Sequence, residues 1–392
     1  MPLDRSLGFR FNLREEKFIL DWSINFSDME EQESLKKIVN VPCGGCGSEM
    51  VYDPGKQMLL CPNCGTTRDI PTASDMVVER SFATAASMAD LPTGFNVPSK
   101  VFHCNSCGAN TSVGQDTVAF SCPFCGSTNV NAEAHEARVI RPSGVLPFKV
   151  TKQAALEKFK TWIGKGFFAP GNLKKLARLD NIRSVYLPFW TYDASTFSQW
   201  EAEAGYYYYT TESYTDAQGN AQTKQVRHTR WEFVSGYFDK AFDDVLVVAS
   251  SGLEQRFSEE IFPFDLDQIV NYDGQFILGH ESEVYQRDLK AGFDVADGIM
   301  DTEIRAEITK KVPGDTHRNL QIDTRKSDIT FKHILLPIWI AAYLYNNKVY
   351  RFLVNGRTGK ISGKKPVAAW KVVMLILVIA AIIAGIVLAT KS

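Results

Sequence analysis

The spacing of hydrophobic positions changes along the chain, and each change predicts a different element. Apolar residues recur at helical spacing over Thr151–Gly164, which predicts an amphipathic helix. From Val185 the spacing shortens toward alternation, and aromatic and β-branched residues become frequent, which predicts strands. The strand candidates are Val185–Tyr192, Thr196–Thr210, Gln225–Phe238 and Val245–Ala249.

Turn residues join several of these strands into hairpins. The run Thr215–Asn220 lies between two strand candidates and predicts one long hairpin. Near the end of the chain, Asn346-Asn347 separates Ile334–Tyr345 from Lys348–Val354, which predicts a second hairpin with a two-residue turn.

Three further segments have helical patterns. A short helix is predicted over Leu173–Leu179, and another near Asp75–Ala89, before helix-breaking proline and glycine residues. Glu281–Lys311 is also predicted to be largely helical. Gly292 and Gly298 are expected to interrupt it, because glycine weakens a helix interior.

A short motif occurs twice. Leu187-Pro-Phe-Trp190 recurs as Leu336-Pro-Ile-Trp339, and each copy opens a predicted strand that follows a predicted helix. The repeat favours two related αβ units packed together. The fold class predicted for residues 140–365 is therefore a mixed αβ domain rich in antiparallel strands, within an α+β protein.

The most apolar stretch lies at the C-terminus. Val372–Thr390 contains 19 residues without a charge, and as a helix it spans about 28 Å, close to the thickness of a bilayer core. A buried core helix is the alternative, but such helices are rarely so uniformly apolar. We therefore predict one transmembrane helix over residues 370–390, with Trp370 at the interface.

The charges beside this helix predict its orientation. Basic residues concentrate before it, and only Lys391 follows it. The positive-inside rule then places the bulk of the chain in the cytoplasm, as a single-pass protein of the cell inner membrane. The basic residues before the helix are Arg351, Arg357, Lys360, Lys364, Lys365 and Lys371.

Composition adds little, except through cysteine. The 392 residues carry a formal net charge of −2, and the N-terminus has no apolar signal sequence. All eight cysteines fall into two sets with the spacing C-x2-C-x14-C-x2-C, and a glycine follows each pair. The first set is Cys43, Cys46, Cys61 and Cys64; the second is Cys104, Cys107, Cys122 and Cys125.

This spacing is typical of four-thiolate metal sites. Two tight turns present two sulfurs each to one ion, and a hairpin between them brings the turns together. Glu49–Leu60 and Ala109–Ser121 are the predicted hairpins. Disulfides suit a secreted chain, and a redox pair is expected singly, so neither fits well. Iron also suits four sulfurs, but a structural zinc ion, one for each set, is the interpretation we favour.

Zinc ribbons often bind nucleic acid, but the charge of this region opposes that function. From Cys43 to Gly126 the chain has four basic and seven acidic residues, whereas phosphate contacts need a basic surface. Asp239–Glu303 is more acidic still, with 16 acidic and four basic residues. That segment leaves room for a basic protein partner.

The sequence contains no established catalytic motif. HExxH, GxSxG, a dinucleotide fingerprint and an EF-hand loop are all absent, and every cysteine belongs to a metal set. We therefore predict that the protein is not an enzyme. An enzyme whose catalytic groups converge within residues 140–365 is the alternative, because such groups can come from distant positions.

The predicted organisation resembles a known family. Paired CxxCG ribbons, the two Leu-Pro-aromatic motifs, VNGRTGKISG and the C-terminal helix resemble bacterial membrane-anchored double zinc-ribbon proteins. Members are labelled TFIIB-type zinc-ribbon or primosomal-helicase-like. The predicted segments are an N-terminal extension (1–40), ribbon 1 (41–70), a linker with a helix (71–100), ribbon 2 (101–130), the αβ domain (140–365) and the membrane helix (370–390).

The resemblance implies a function but no catalytic residues. It implies zinc at the eight cysteines and a role in recruiting proteins at the membrane, since some relatives are similar to components of membrane-stress assemblies with SPFH-domain partners. A homo-oligomer is compatible with the small-residue spacing of Ala381 and Gly385. We expect a non-enzymatic, membrane-anchored scaffold; a membrane-attached nucleic-acid binder is the alternative.

The two cysteine sets generate a stoichiometric prediction. Protein purified without chelator should contain about two zinc ions per chain, one for each set of four thiolates. Elemental analysis by mass spectrometry measures the content and distinguishes zinc from iron. A preparation with no bound metal and with bridged sulfurs would contradict the prediction.

Overall fold

The described chain is mostly antiparallel β-structure with helices packed on it. We describe the protein from a computed structural model, and all described residues belong to one unit, residues 39–392. The structure describes residues 41–71, 77–87, 99–106, 110–114, 122, 124, 127, 130–133, 140–163, 170, 182–217, 219–250, 260–345 and 348–391.

The elements follow one another in this order. The strands are β1 (Val51–Asp53), β2 (Met58–Leu60), β3 (Thr67–Arg68), β4 (Arg80–Ser81), β5 (Ser99–Cys104), β6 (Asn110–Gly114), β7 (Val130–Glu133), β8 (Gly144–Val145), β9 (Arg183–Thr215), β10 (Ala221–Val248), β11 (Val270–Asn271), β12 (Glu281–Glu283), β13 (Thr316–Tyr345), β14 (Lys348–Asn355) and β15 (Ile361–Gly363). The α-helices are α1 (Phe82–Ser87), α2 (Lys152–Ile163), α3 (Leu289–Lys311) and α4 (Ala369–Lys391).

Two long strands form the middle of the main sheet. β9 and β13 pair antiparallel over most of their length, and β10 and β14 pair with their outer edges as hairpins. The path of this 12-stranded sheet is β11-β8-β13-β9-β12-β6-β5-β7, while β1, β2 and β3 form a separate small sheet.

The two Leu-Pro-aromatic motifs meet at the centre of this pairing. Leu187 lies opposite Leu336, so the motifs run past one another in opposite directions. Trp190 donates its indole N–H to the carbonyl of Arg287, just before α3, at 2.9 Å. Trp339 makes the equivalent bond to the carbonyl of Val150, just before α2, at 2.8 Å. Each motif therefore fixes the segment that enters the helix preceding the other motif.

The middle of the sheet is buried on both faces, which explains its continuous apolar sequence. One face packs against α2 and α3, and Tyr186, Trp190 and Tyr192 point to that side. The other face carries Val185, Leu187 and Phe189 into a cluster that includes Cys104 and Cys122.

Farther along β9 only one face is covered. Ser198, Trp200, Ala202 and Ala204 are buried on the side of α3, while the residues between them are more exposed. This alternation is what a half-covered antiparallel strand requires. The sequence predicted separate strands at Val185–Tyr192 and Thr196–Thr210, but the structure joins them into one strand. The irregularities opposite residues 193 and 194 lie in the partner strands, where β10 shifts register between Phe242 and Val245 and β13 between Ser327 and Thr330.

Both predicted hairpins form. β9 and β10 pair from Thr215 and Ala221 onward, and Asp216 accepts a hydrogen bond from the backbone N–H of Asn220 at 2.8 Å, which closes the turn. At the second hairpin Tyr345 lies opposite Lys348. The predicted turn residues Asn346-Asn347, and the predicted helix Leu173–Leu179, lie outside the described residues.

The prediction for Glu281–Lys311 was wrong in two respects. Glu281–Glu283 is a strand, and α3 runs from Leu289 without interruption through both glycines. Gly292 is needed for close packing, since a Cβ there would lie 2.4 Å from the hydroxyl of Tyr192. Gly298 has open space around it, and a helix of this length tolerates its cost of about 1 kcal/mol.

The predicted helix near Asp75–Ala89 is confirmed only in part. Within that segment α1 covers Phe82–Ser87, whereas Arg80–Ser81 is a strand that pairs with Thr330 and Phe331 of β13. Sheet pairing therefore replaces helix at Arg80–Ser81. The helix predicted over Thr151–Gly164 is confirmed as α2, with Ala155, Phe159 and Ile163 buried.

The C-terminal segment is helical, as predicted. Among the described residues one helix is long and apolar enough to cross a membrane, and none of its stretch Trp370–Val387 is buried against the rest of the protein. An exposed helix of this composition does not match a core helix.

Two histidines with buried ring nitrogens generate a prediction about pH. Burial lowers the pKa of His280 and of His333 to about 4, from an ordinary value near 6.5. The unfolded chain therefore binds more protons between these values, and stability is lost as the pH falls from 6.5 toward 4. Each histidine should account for roughly 3 kcal/mol of that loss, at about 1.4 kcal/mol per pKa unit.

His280 offers the sharper test. Its ring stacks on Phe148 with centroids 4.7 Å apart, and neither ring nitrogen has a hydrogen-bond partner among the described residues. His280→Phe should keep the stacking and reduce the acid dependence of the unfolding free energy, measured by urea titration in detergent at several pH values. His228→Phe, at a half-exposed hairpin position, is the control. An unchanged pH dependence in His280→Phe would contradict the assignment.

Candidate metal centre

Two tight turns place the first cysteine set. In the first turn the N–H of Gly47 donates to the carbonyl of Cys43, and in the second the N–H of Gly65 donates to the carbonyl of Cys61, both at 2.9 Å. Gly47 and Gly65 have φ values of 75° and 78°, a conformation that glycine adopts at little cost. β1 and β2 form the hairpin between the turns, as predicted for Glu49–Leu60.

The four sulfur atoms of this set converge. All lie within 4.8 Å of one another, and the Sγ atoms of Cys43 and Cys64, and of Cys46 and Cys61, are 3.5 Å apart. A disulfide needs about 2.05 Å, so these are not disulfide pairs. Tetrahedral zinc, with Zn–S bonds of about 2.3 Å, needs sulfurs about 3.8 Å apart, and the group could therefore hold a metal ion.

Polar neighbours surround the sulfurs. The N–H of Gly45 donates to Sγ of Cys43 at 3.4 Å, and the side-chain amide of Asn63 donates to Sγ of Cys46 at 3.6 Å. The hydroxyl of Thr66 lies 3.1 Å from Sγ of Cys64. Hydrogen bonds of this kind favour the thiolate, which is the form that binds metal.

These contacts shift the pKa values of the thiols in different directions. Hydrogen bonds from Ser48, and then from Asn63, lower the pKa of Cys46 to about 6, and the N–H of Gly45 lowers the pKa of Cys43. For Cys61, the backbone of Cys64 acts to lower the pKa, but burial and the adjacent thiols raise it to about 11. The thiolate form is therefore favoured at Cys43 and Cys46 but not at Cys61. A bound cation would be needed to stabilise all four sulfurs as thiolates.

The small sheet of the first set (β1–β3) is joined to the main sheet by a shared core. The Tyr52 hydroxyl donates to the carbonyl of Phe148 at 3.1 Å, and its ring meets Phe276 edge-on. Cys43 and Cys61 belong to the same buried cluster as Tyr186 and Trp339 of the central strands. A metal ion held here would stabilise more than residues 41–70.

The second set is described in part. Cys104 and Cys122 are buried beside Phe124 in the cluster under the other sheet face. The N–H of Cys122 donates to the carbonyl of Ser127 at 2.9 Å, which matches the bonds of Cys43 to Ser48 and of Cys61 to Thr66. Cys107 and Cys125 lie outside the described residues.

Of the hairpin predicted over Ala109–Ser121, the structure describes only Asn110–Gly114, and residues 115–121 lie outside the described residues. Residues Asn110–Gly114 pair with Ser99–His103 and with Glu283 and Ser282 of β12. The strand that precedes the first turn of the set is therefore its partner, and β5 also pairs with β7. The second set is thereby integrated into the main sheet, whereas the first has its own small sheet.

A second group of possible metal ligands consists of three carboxylates. Carboxylates of Glu79, Asp193 and Asp243 lie within 4.8 Å of one another. The buried ammonium of Lys332 lies 3.0 Å from Glu79 and 2.7 Å from Asp244. Burial would lower the pKa of Lys332, but these carboxylates raise it, so the group is an ion-pair network of partly exposed carboxylates around a buried lysine.

Sequence reasoning identified the thiols but not the residues that support them. Ser48, Asn63 and Thr66 contact or polarise sulfurs, yet serine, asparagine and threonine are common in turns and gave no separate signal. Tyr52, which connects the small sheet to the main sheet, was also missed. The alternation of Met50 and Tyr52 as apolar positions in the sequence was the available signal.

Comparison with known proteins gives one informative similarity. The chain is 25% identical over 340 residues to the "uncharacterized protein YdjG" of Bacillus subtilis (strain 168), covering 86% of this chain and 92% of that protein. No protein-family model matches the chain. No solved structure matches it either.

The geometry predicts what loss of one sulfur would do. Cys61→Ser should remove the metal of the first set and raise amide hydrogen exchange over residues 41–70, because metal binding and folding are coupled in such modules. Exchange should also rise around Phe148, through the loss of the Tyr52 contact. Mass spectrometry measures both metal content and exchange.

Cys122→Ser is the matched control for this variant. It should leave exchange over residues 41–70 unchanged and reduce protection around β5 and β7 instead. Retention of full metal content by Cys61→Ser, with no change in exchange, would show that the first set does not bind metal.

Proposed function

We propose that the protein is a non-enzymatic, membrane-anchored zinc-binding scaffold that docks protein partners at the cytoplasmic face of the membrane. The observation that carries the proposal is the closed four-sulfur group. A site in which protein sulfurs take all four positions leaves none for substrate, so its metal holds the fold and performs no reaction.

Two zinc ions per chain are part of this proposal. Zinc at the first set is supported by the spacing of the sulfurs and by their hydrogen-bonding neighbours. Zinc at the second set is supported by the repeated sequence spacing and by the matching backbone bond of Cys122. Cys104 and Cys122 are both buried, as Cys43 and Cys61 are in the first set.

The apolar helix α4 supports the membrane anchor. Its exposed apolar surface has a favourable environment inside a bilayer. Basic residues precede it, which supports an orientation with the main domain in the cytoplasm at the inner membrane. Reduced cytoplasmic thiols are then available to bind zinc.

The docking surface we propose is the part of the main sheet that carries exposed aromatic rings and that no described helix covers. α3 covers one face, and the opposite face bears three exposed aromatic rings: Phe197 (47% exposed), Phe233 (70%) and Tyr237 (68%). Phe197 and Tyr237 stack with centroids 5.6 Å apart. Exposed aromatic side chains grouped on a rigid sheet are typical of protein interfaces. We call this surface the open face.

We also infer that the main domain consists of two related units. In each, a short strand and a helix precede a long hairpin: β8, α2 and β9–β10 in one, and β12, α3 and β13–β14 in the other. The N–H of Ala249 donates to the carbonyl of Pro188, and the N–H of Gly356 donates to that of Pro337. With the two tryptophan bonds, these matched contacts support an internal repeat.

A role in a membrane-stress assembly, with SPFH-domain partners, remains part of the proposal through the family resemblance. The relative from Bacillus subtilis carries no assigned function that bears on it. Nucleic-acid binding is disfavoured by the acidic balance of residues 43–126.

Photo-crosslinking in intact membranes tests docking. A photoreactive amino acid at Phe233, within the full-length protein, should yield crosslinks to protein. Phe233→Ser combined with Tyr237→Ser should abolish partner co-purification. Tyr208→Ser removes an exposed aromatic ring from the distal hairpin, away from the open face, and should leave co-purification intact.

Separate outcomes would contradict separate parts of the proposal. Extraction of the full-length protein into the aqueous fraction by alkaline carbonate would exclude the anchor. Crosslinks to nucleic acid instead of protein, with binding that weakens as salt rises, would support the alternative function.

A further inference from the structure

Basic residues are concentrated in two segments that are distant in sequence. Residues 149–163 and 350–371 together contain ten basic residues and one acidic residue, Glu157. The segment 239–303 has the opposite character, with 16 acidic and four basic residues. A separation of charge this strong favours a surface that faces an anionic partner.

The fold brings the two basic segments together. The rings of Phe159 in α2 and Phe352 in β14 stack with centroids 3.7 Å apart. The ammonium of Lys365 donates to the carbonyl of Trp162 at 2.7 Å and lies 4.1 Å from the centre of its ring. α2 is therefore fixed along the segment that leads into the apolar helix.

The turn between β14 and β15 lies against the same helix. A Cβ on Gly359 would lie 2.4 Å from Cε of Lys158, so the Lys158 side chain crosses this turn. Lys158, Lys160 and Lys360 are exposed. We name this surface the basic face. Its exposed members are Lys152, Lys158 and Lys160 of α2, and Lys360 and Lys364 of the adjacent segment.

The basic face is close to the start of the apolar helix. Pro366 and Ala368 are buried, so the connection is packed on the domain between Lys365 and the first helical residue, Ala369. Those four residues span at most about 14 Å. With Trp370 at the membrane interface, the basic face lies near the lipid headgroups. It is then within the distance over which the negative charge of a membrane surface attracts basic residues.

Several acidic residues of the described part of the chain lie near this face, and one of them, Asp53, lies beside Thr151, just before α2. Asp265 faces Arg357, whose side chain is largely buried, and Glu260 hydrogen-bonds Ser362. Glu157 is the one acidic residue on α2 and lies beside Lys158 and Lys160 in sequence. The exposed charge on α2 therefore stays positive.

We propose that the basic face binds the headgroups of anionic phospholipids and so holds the domain against the membrane. The inference rests on the anchor proposed above, but adds to it: a tail alone would leave the domain free to tilt. Phosphate is the chemistry recognised, and the lipid surface is its source, because the face adjoins the helix that enters the bilayer.

Lysine footprinting of the full-length protein tests this. The chain is reconstituted into nanodiscs of phosphatidylcholine alone, or of phosphatidylcholine mixed with phosphatidylglycerol. Reductive methylation then labels exposed amines, and mass spectrometry measures the rate at each lysine. Labelling of Lys158 and Lys160 should be about fivefold slower in the anionic discs, and high salt should restore it. Lys224, exposed on the hairpin, is the internal control.

Charge reversal provides the matched variants. Lys158→Glu with Lys160→Glu should restore fast labelling of Lys152 in anionic discs. Lys224→Glu with Arg227→Glu, on the hairpin, should leave the protection of Lys152 unchanged. Inorganic phosphate added to neutral discs should give no protection of the basic face if the lipid surface is required.

The outcomes are distinguishable. Protein that copurifies with both discs but labels equally in each would overturn this inference and leave the anchor intact. Protein that enters neither disc would overturn both. Protection by inorganic phosphate or by a DNA duplex in neutral discs, equal to that in anionic discs, would assign the face to a different ligand and overturn the lipid proposal.

Discussion

The antiparallel pairing of β9 with β13 is the interaction on which the rest of the described structure depends. All three buried clusters contain residues of these two strands. Because side chains alternate along a strand, one pairing register places Tyr186 and Trp190 against the helices and Leu187 against the opposite layer. A shift by one residue would exchange the two sets and bury neither correctly. The tryptophan bonds to the helix-entry carbonyls further fix this register.

The cysteine sets are attached to the two faces of that pairing in different ways. The first set lies in a small sheet of its own, connected by Tyr52 and by a buried cluster that reaches Trp339. The second contributes Cys104 and Cys122 directly to the cluster on the opposite face. Metal bound at either set would therefore stabilise the central sheet as well as its own turns. In our proposal the metal at each set is structural, because four protein sulfurs leave no open position on a tetrahedral ion.

Basic, acidic and exposed apolar residues occupy different parts of the surface. This distribution is consistent with a protein held at a membrane. Basic residues collect beside the apolar helix, and acidic residues collect in segment 239–303. The open face, with Phe233 and Tyr237, belongs to the long hairpin and not to the basic segments. In our proposal, one surface contacts lipid and another contacts protein.

Local patterns in the sequence determined the features that depend on nearby residues. Cysteine spacing indicated the metal sets, the uncharged C-terminal run indicated the apolar helix, and turn residues indicated both hairpins. Tertiary structure decided the rest. Only packing shows that Gly292 allows α3 to approach Tyr192, that strand pairing replaces helix at Arg80–Ser81, and that β9 continues unbroken. The basic face and the open face also depend on contacts between distant segments, such as Lys365 with Trp162. Spacing along a chain encodes local geometry, but it does not encode which distant surfaces come to share a face.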